Sequence, residues 1–171
     1  MNADQAKAAA ALVGQQLQNE WMTTYKVLSA IPEGKKDYKP EQNSRCAIDL
    51  AGHLASADVW FLNGVLNGKF DNPTDGEPKF NSVAEVGDWY KQHFPQVLER
   101  VLALDGNKLS QPIDFFGMKM PGVQYLLFAL VHMVHHRGQL STYLRPMGGK
   151  VPSIYGGSFD EPWQGPAEPS A

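Results

Sequence analysis

Apolar residues recur at helical intervals in four long runs of this chain, and nearly all of its turn-forming residues fall between those runs. A helix with one apolar stripe has to bury that stripe against another element, so the pattern predicts an all-α chain folded as a four-helix bundle. The first run spans residues 4–31, with Leu12, Leu17, Trp21, Tyr25 and Leu28 in period, and stops before Pro32 and Gly34. A second begins at Asn43 or Ser44, either of which can cap a helix, and ends at Asn67-Gly68. Its stripe of Cys46, Leu50, Ala57 and Trp60, widened by Ala47, Leu54, Phe61 and Val65, also contains His53. The third opens with Ser82-Val83-Ala84-Glu85, a capping-box pattern, and keeps a helical period through Val86, Trp89, Tyr90, Phe94, Val97, Leu98 and Val101 to Asp105-Gly106. The fourth and most apolar starts at Pro121 as first helical residue and continues to Met147-Gly148-Gly149.

The segments outside these runs are short of helix formers. Residues 111–120, with Ile113, Phe115, Phe116 and Met118, fit either a short extended hairpin or a packed loop. Residues 151–158 are rich in turn formers yet aromatic, and are expected to lie against the bundle. Residues 165–171 are expected to be frayed.

Bulk properties narrow the function. A chain of 171 residues fits one domain, here 1–171. Its net charge of -3 gives no broad basic surface for nucleic acid or anionic lipid. The most apolar stretch, 123–134, is interrupted by Gln124 and His132 and is shorter than the roughly 20 residues a membrane span needs. The first five residues show no start of a secretory signal. The single cysteine, Cys46, excludes an internal disulfide framework and a multi-cysteine zinc site, and fits a reducing compartment, so a cytoplasmic location is expected.

The chemistry sits in histidines. His132 and His136 are four residues apart on a predicted helix, so both rings lie on one face, one turn apart. That face also carries Tyr125, Phe128, Leu140 and Tyr143, and two imidazoles placed among core-type residues need partners. His53 has the same misfit on the second helix. Three neutral imidazoles from two helices form a three-nitrogen site for Zn, Ni, Fe or Co that leaves room for water or substrate.

Other chemistries fail on the letters. The residues three before His53, His132 and His136 are Leu50, Ala129 and Met133, so no Glu-x-x-His pair of a di-iron centre is present. Met133 stands where a zinc metalloprotease carries its glutamate base. Cys46 has nothing nearby to lower its pKa and is assigned to packing. His135 points about 100° away from His136 around the helix and is placed outside the ligand set. His93 is read as a surface residue. Asp49, one turn before His53, is either a carboxylate that orients that ring or an ordinary solvated side chain.

The segment His132-Met133-Val134-His135-His136-Arg137-Gly138-Gln139-Leu140 with Tyr143-Leu144-Arg145 resembles the signature helix of the DinB/YfiT-like (DNA damage-inducible) metal-binding proteins. Ala51-Gly52-His53-Leu54-Ala55 is similar to that family's second-helix motif, and Val151-Pro152, Tyr155-Gly156 and Ser158-Phe159-Asp160 resemble the segment after its last helix. The resemblance implies a four-helix bundle with one long crossover, a site of His53, His132 and His136 holding Ni or Zn, and a homodimer. Relatives with known activity include bacterial thiol-dependent S-transferases and a mycothiol-dependent maleylpyruvate isomerase. The resemblance therefore points to a metal-dependent thiol S-transferase joining a low-molecular-weight thiol to a small-molecule electrophile. The alternatives are a metal-dependent hydrolase with metal-bound water as nucleophile, and a non-enzymatic metal-binding stress-response protein. No residue is assigned as catalytic acid or base.

Overall fold

A computed structural model describes residues 1–73 and 78–165. Four long helices, α1 (Ala3–Ser29), α2 (Ala47–Asn67), α3 (Val83–Leu102) and α5 (Gly122–Leu144), form the bundle. A short α4 (Gly106–Ser110) and a hairpin of β1 (Pro112–Phe115) and β2 (Met118–Pro121) join α3 to α5, and a 3-10 turn, Glu33–Lys35, follows α1. Helix α1 packs on α3 and α5, and α2 packs on the same two. α1 and α2 thus face each other across the diagonal, and residues 30–46 cross the bundle to connect them. Leu17, Leu28, Leu50, Leu54, Phe94, Leu98, Leu126 and Leu140 fill the centre, each at most 1% exposed. No helix among the described residues is long and apolar enough to cross a membrane.

Helix ends show where local chemistry overrode the sequence expectation. α2 starts later than Asn43 or Ser44, with Cys46 as its N-cap. The Glu41 carboxylate accepts from the Asn43 N–H at 2.9 Å and from the Ser44 hydroxyl at 2.7 Å, so this turn closes on itself before the helix begins. At α3 the Ser82 hydroxyl caps the Glu85 N–H as expected, but the Glu85 carboxylate accepts from the Asn81 N–H rather than that of Ser82. The complete capping box is at α1, between Asn2 and Gln5. α3 ends at Leu102, short of Asp105-Gly106, because Asp105 caps α4 by accepting from the Lys108 N–H. Pro121 closes β2 and stands as N-cap of α5, one place before the first helical residue. α5 stops at Leu144, and the Gly149 N–H donates to the Leu144 carbonyl across Gly148, whose φ of 79° glycine tolerates.

Of the two forms open for residues 111–120, the chain adopts the hairpin. Phe115 pairs with Met118, leaving a two-residue turn in which Phe116 and Gly117 both have positive φ (50° and 93°), the twist a tight hairpin demands. The Tyr125 hydroxyl on α5 donates to the carbonyls of Ile113 and Met118 and fixes the hairpin to the bundle.

The tail lies on the bundle as expected. Asp160 accepts from the Val151 N–H at 2.9 Å and from Arg145 at 3.1 Å, and Pro152 is buried. Tyr155 reaches Arg137, an arginine only 1% exposed whose guanidinium is ion-paired with Glu20. Residues 166–171, within the segment expected to be frayed, lie outside the described residues.

Candidate metal centre

α2 brings one histidine and α5 two. The ring centroids of His53 lie 5.4 Å from His132 and 4.8 Å from His136, and those of His132 and His136 are 4.4 Å apart. One ring nitrogen from each of the three lies within 4.8 Å of the others, and all three side chains are half-buried. The four-residue spacing on α5 set one edge of this triangle. The packing of α2 on α5 set the other two.

The electrostatics suit ligands for a cation. Burial, the nearby Arg45 charge and the other two imidazoles hold the His53 pKa down to about 4, and burial lowers that of His136. Both rings are therefore neutral at physiological pH, with lone pairs free to bind. Gln139 Oε1 lies 3.0 Å from His136 Nδ1, which fixes that ring and leaves Nε2 to serve as the ligand.

His132 has a second partner that the sequence reading did not select. Asp58 on α2 is fully buried; its Oδ2 accepts from the Tyr90 hydroxyl at 2.8 Å, and its Oδ1 is 3.7 Å from His132 Nδ1. That separation is too long for a hydrogen bond, so both atoms are buried without a bonded partner among the described residues. Burial pushes Asp58 up to about 6, against the pull of His132 and Tyr90. A cation on the far nitrogen of His132 would strengthen its Nδ1–H as a donor to this carboxylate. The three converging ring nitrogens and the orphaned pair behind them together fit a divalent metal ion. The signal for Asp58 was present in the sequence: it lies on the apolar stripe of α2, four residues from both Leu54 and Leu62.

The remaining candidates fall outside the cluster. Asp49 is exposed and lies beside Cys46, whose buried thiol is pushed up in pKa chiefly by its burial and further by that carboxylate. The assignment of Cys46 to packing agrees with this. His135 is exposed, edge-on to His136. His93 is half-buried rather than on the surface, stacked on Trp89 with Nδ1 at 2.7 Å from the Trp89 carbonyl. Phe128 is not core but 42% exposed.

A cavity of about 460 Å3 opens beside the cluster, with His53 and His132 in its wall. Trp60 and Phe61 of α2, Trp89 of α3, and Phe115 and Phe116 of the hairpin give it an aromatic lining, to which Arg45 adds a positive charge. This volume is within the range of small-molecule sites.

Comparisons with known proteins agree with this architecture. The chain is 34% identical over 115 residues to the Bacillus subtilis (strain 168) protein YrdA, covering 66% of this chain and 67% of YrdA. It is 30% identical over 132 residues to YjoA of the same strain, covering 73% of this chain and 82% of YjoA. The crystal structure of YjoA, a DinB-like protein, superposes with a TM-score of 0.70 at 22% identity over 84% of this chain and 97% of that one. A DinB-like protein from Bacillus cereus ATCC 10987 superposes with a TM-score of 0.71 at 26% identity, over 82% and 94% of the two chains. The DinB family profile matches residues 5–168, nearly the whole sequence, and the chain belongs to the DinB family.

Proposed function

We propose that this protein is a divalent-metal-dependent thiol S-transferase, with His53, His132 and His136 as the ligands of one Ni or Zn ion. The observation that carries the reading is the convergence of three imidazole nitrogens, two of them from histidines in the wall of an aromatic cavity large enough for a second substrate. A three-ligand site leaves coordination positions open, whereas structural zinc is closed by four protein ligands. A divalent ion there supplies the positive charge that keeps a low-molecular-weight thiol ionised at neutral pH.

The chain's own groups do the rest. Low basicity keeps His53 from taking up a proton in place of the ion. Gln139 sets the ring orientation of His136, and the Asp58 carboxylate stands behind His132. The cavity holds the electrophile beside the cluster and shields it from water. In the transfer, sulfur forms a bond to the electrophilic carbon as a halide leaves, or as an epoxide C–O bond breaks and its oxygen takes a proton from solvent. The proposal includes the homodimer that the family resemblance implies, which light scattering of the purified protein would detect.

The test is to incubate Ni- or Zn-loaded protein with a panel of low-molecular-weight thiols and either 1-chloro-2,4-dinitrobenzene or styrene oxide. Conjugation well above the protein-free rate with at least one thiol, lost in His136→Ala, is the expected result. No acceleration with any thiol would overturn the transferase assignment in favour of a hydrolase or a non-enzymatic metal-binding protein.

A further inference from the structure

The lining of the cavity is chemically one-sided. Trp60, Phe61, Phe115 and Phe116 contribute ring faces and edges, with Phe61 stacked on Phe115 at 6.0 Å and Trp60 edge-on to Phe115 at 5.9 Å. Such walls favour a flat apolar guest, which gains offset-stacked and edge contacts beyond the area it buries. Aromatic walls also suit cations through the ring faces, so the charge of the guest has to be decided by the remaining groups. None of the described lining residues is acidic. Arg45 lines the same cavity, is exposed, and makes no ion pair or hydrogen bond among the described residues. Arg137 and Arg145, in contrast, are both ion-paired. A guanidinium on the cavity lining with no partner among the described residues repels a cation and offers a planar fork to a carboxylate or a similar anion.

We propose that this cavity takes an aromatic substrate bearing one anionic group, with its ring against Trp60, Phe115 and Phe116, its anion on Arg45 and its reacting atom toward the histidine cluster. The inference names the electrophile class of the proposed transferase and rests on that reading for the reaction, though not for the binding. Arg45 is then a specificity residue, since it selects among aromatic guests by their charge. It lies in the segment just before α2 and lines the same cavity as His53 and His132, so the anion and the reacting atom share one enclosure.

Calorimetric titration with three probes of one shape and different charge tests this. 1-Naphthoate, 1-naphthamide and 1-naphthylmethylammonium are each titrated into metal-loaded and metal-stripped protein, and into Arg45→Ala and Trp60→Ala. Naphthoate should bind about tenfold tighter than naphthamide, with the ammonium probe weakest. Arg45→Ala should abolish the difference between naphthoate and naphthamide while leaving naphthamide unchanged, which also shows that the variant is folded. Trp60→Ala should weaken all three probes by about tenfold. The naphthoate preference should persist after the metal is stripped.

A preference that survives Arg45→Ala but disappears with the metal would place the anion on the ion and overturn the proposal. Equal binding of the three probes, tightest binding of the ammonium probe, or no binding would overturn it as well. So would an Arg45→Ala variant that keeps the wild-type preference for naphthoate with and without the metal. The naphthoate pattern without thiol conjugation would leave the cavity assignment standing and remove the transferase reading.

Discussion

Asp58 Oδ1 stands 3.7 Å from His132 Nδ1, and neither atom has a hydrogen-bond partner among the described residues. The other carboxylate oxygen is held by the Tyr90 hydroxyl, so the pair is aimed and cannot rotate away without breaking a buried bond. In Asp58→Asn the amide oxygen can still accept from Tyr90, but the negative charge behind His132 is gone. Metal affinity, read by competition with a chromophoric chelator, should fall about 10–100-fold with helicity unchanged. Unaltered affinity would show that Asp58 does not act through His132.

Each of the three histidines should be individually necessary for the ion. Purified protein should contain close to one divalent transition-metal ion per chain, and His53→Ala, which removes the imidazole that α2 brings to the cluster, should abolish this. The same substitution should leave the far-UV spectrum unchanged, because the core of α2 is built from Leu50, Leu54 and Leu62. Elemental analysis of wild type and variant decides the matter; wild-type metal content in His53→Ala would remove His53 from the ligand set.

Arg137 is 1% exposed and depends on Glu20 for its charge partner. Removing one member of a buried pair strands the other, at a cost of about 3 kcal/mol. Glu20→Gln should therefore lower the melting temperature by roughly 6–12 °C for a chain of this size. Tyr155→Phe, which deletes a single hydroxyl between the same groups, should cost about 1 kcal/mol. Thermal melts followed by circular dichroism compare the two, and an equal effect would place the stabilisation in the tail rather than in the ion pair.

Gly64 faces the ring of Phe70 so closely that an added Cβ would stand 2.1 Å from it. Phe70 has little room to yield, with ring centroids of Trp60, Phe115 and Tyr125 at 5.0, 5.1 and 4.9 Å. A helical Gly→Ala change alone gains about 0.5–1 kcal/mol, whereas overpacking costs about 1–3 kcal/mol. Gly64→Ala should therefore lower the urea midpoint and weaken naphthoate, since the displaced ring lies against the cavity wall. A midpoint at or above wild type would show that Phe70 can move aside.

Asp160 holds the tail by accepting from the Val151 N–H and Arg145, and these bonds keep its carboxyl below the usual range. Asp160→Ala should speed hydrogen exchange of residues 151–161 by roughly fivefold at pH 7. A depressed carboxylate contributes fully above its unfolded value, near 4, and its contribution is lost as the pH falls through the lower folded value. The difference between variant and wild type should thus persist at pH 5 and fade as the pH falls below the unfolded value. A constant difference down to pH 2 would mean that the charge on Asp160 is not what secures the tail.

The bundle and the three histidines were legible in the sequence because both depend on helical period. His132 and His136 announce themselves by spacing, and His53 by standing where a leucine would be expected. Helix ends were harder to read: Ser44 has the right chemistry for a cap, but Glu41, three residues earlier, takes its hydroxyl. Asp58 illustrates a different limit. Its position on the apolar stripe of α2 was visible, but its pairing with Tyr90 from α3 and His132 from α5 exists only once three helices pack together. The cavity was illegible for the same reason, since its walls come from segments as far apart in sequence as Arg45, Trp89 and Phe116.

Those walls divide into two kinds of chain. The histidines and Trp60 project from long helices, where any change of backbone is transmitted through the core, whereas Phe115 and Phe116 sit at a hairpin and Pro73 and Pro78 in the connection between α2 and α3. Connections accept substitution and insertion far more readily than packed helices. The histidine cluster can thus remain fixed while the hairpin and the loop diverge, so that drift in a few surface residues reshapes the cavity without rebuilding the three-nitrogen site behind it.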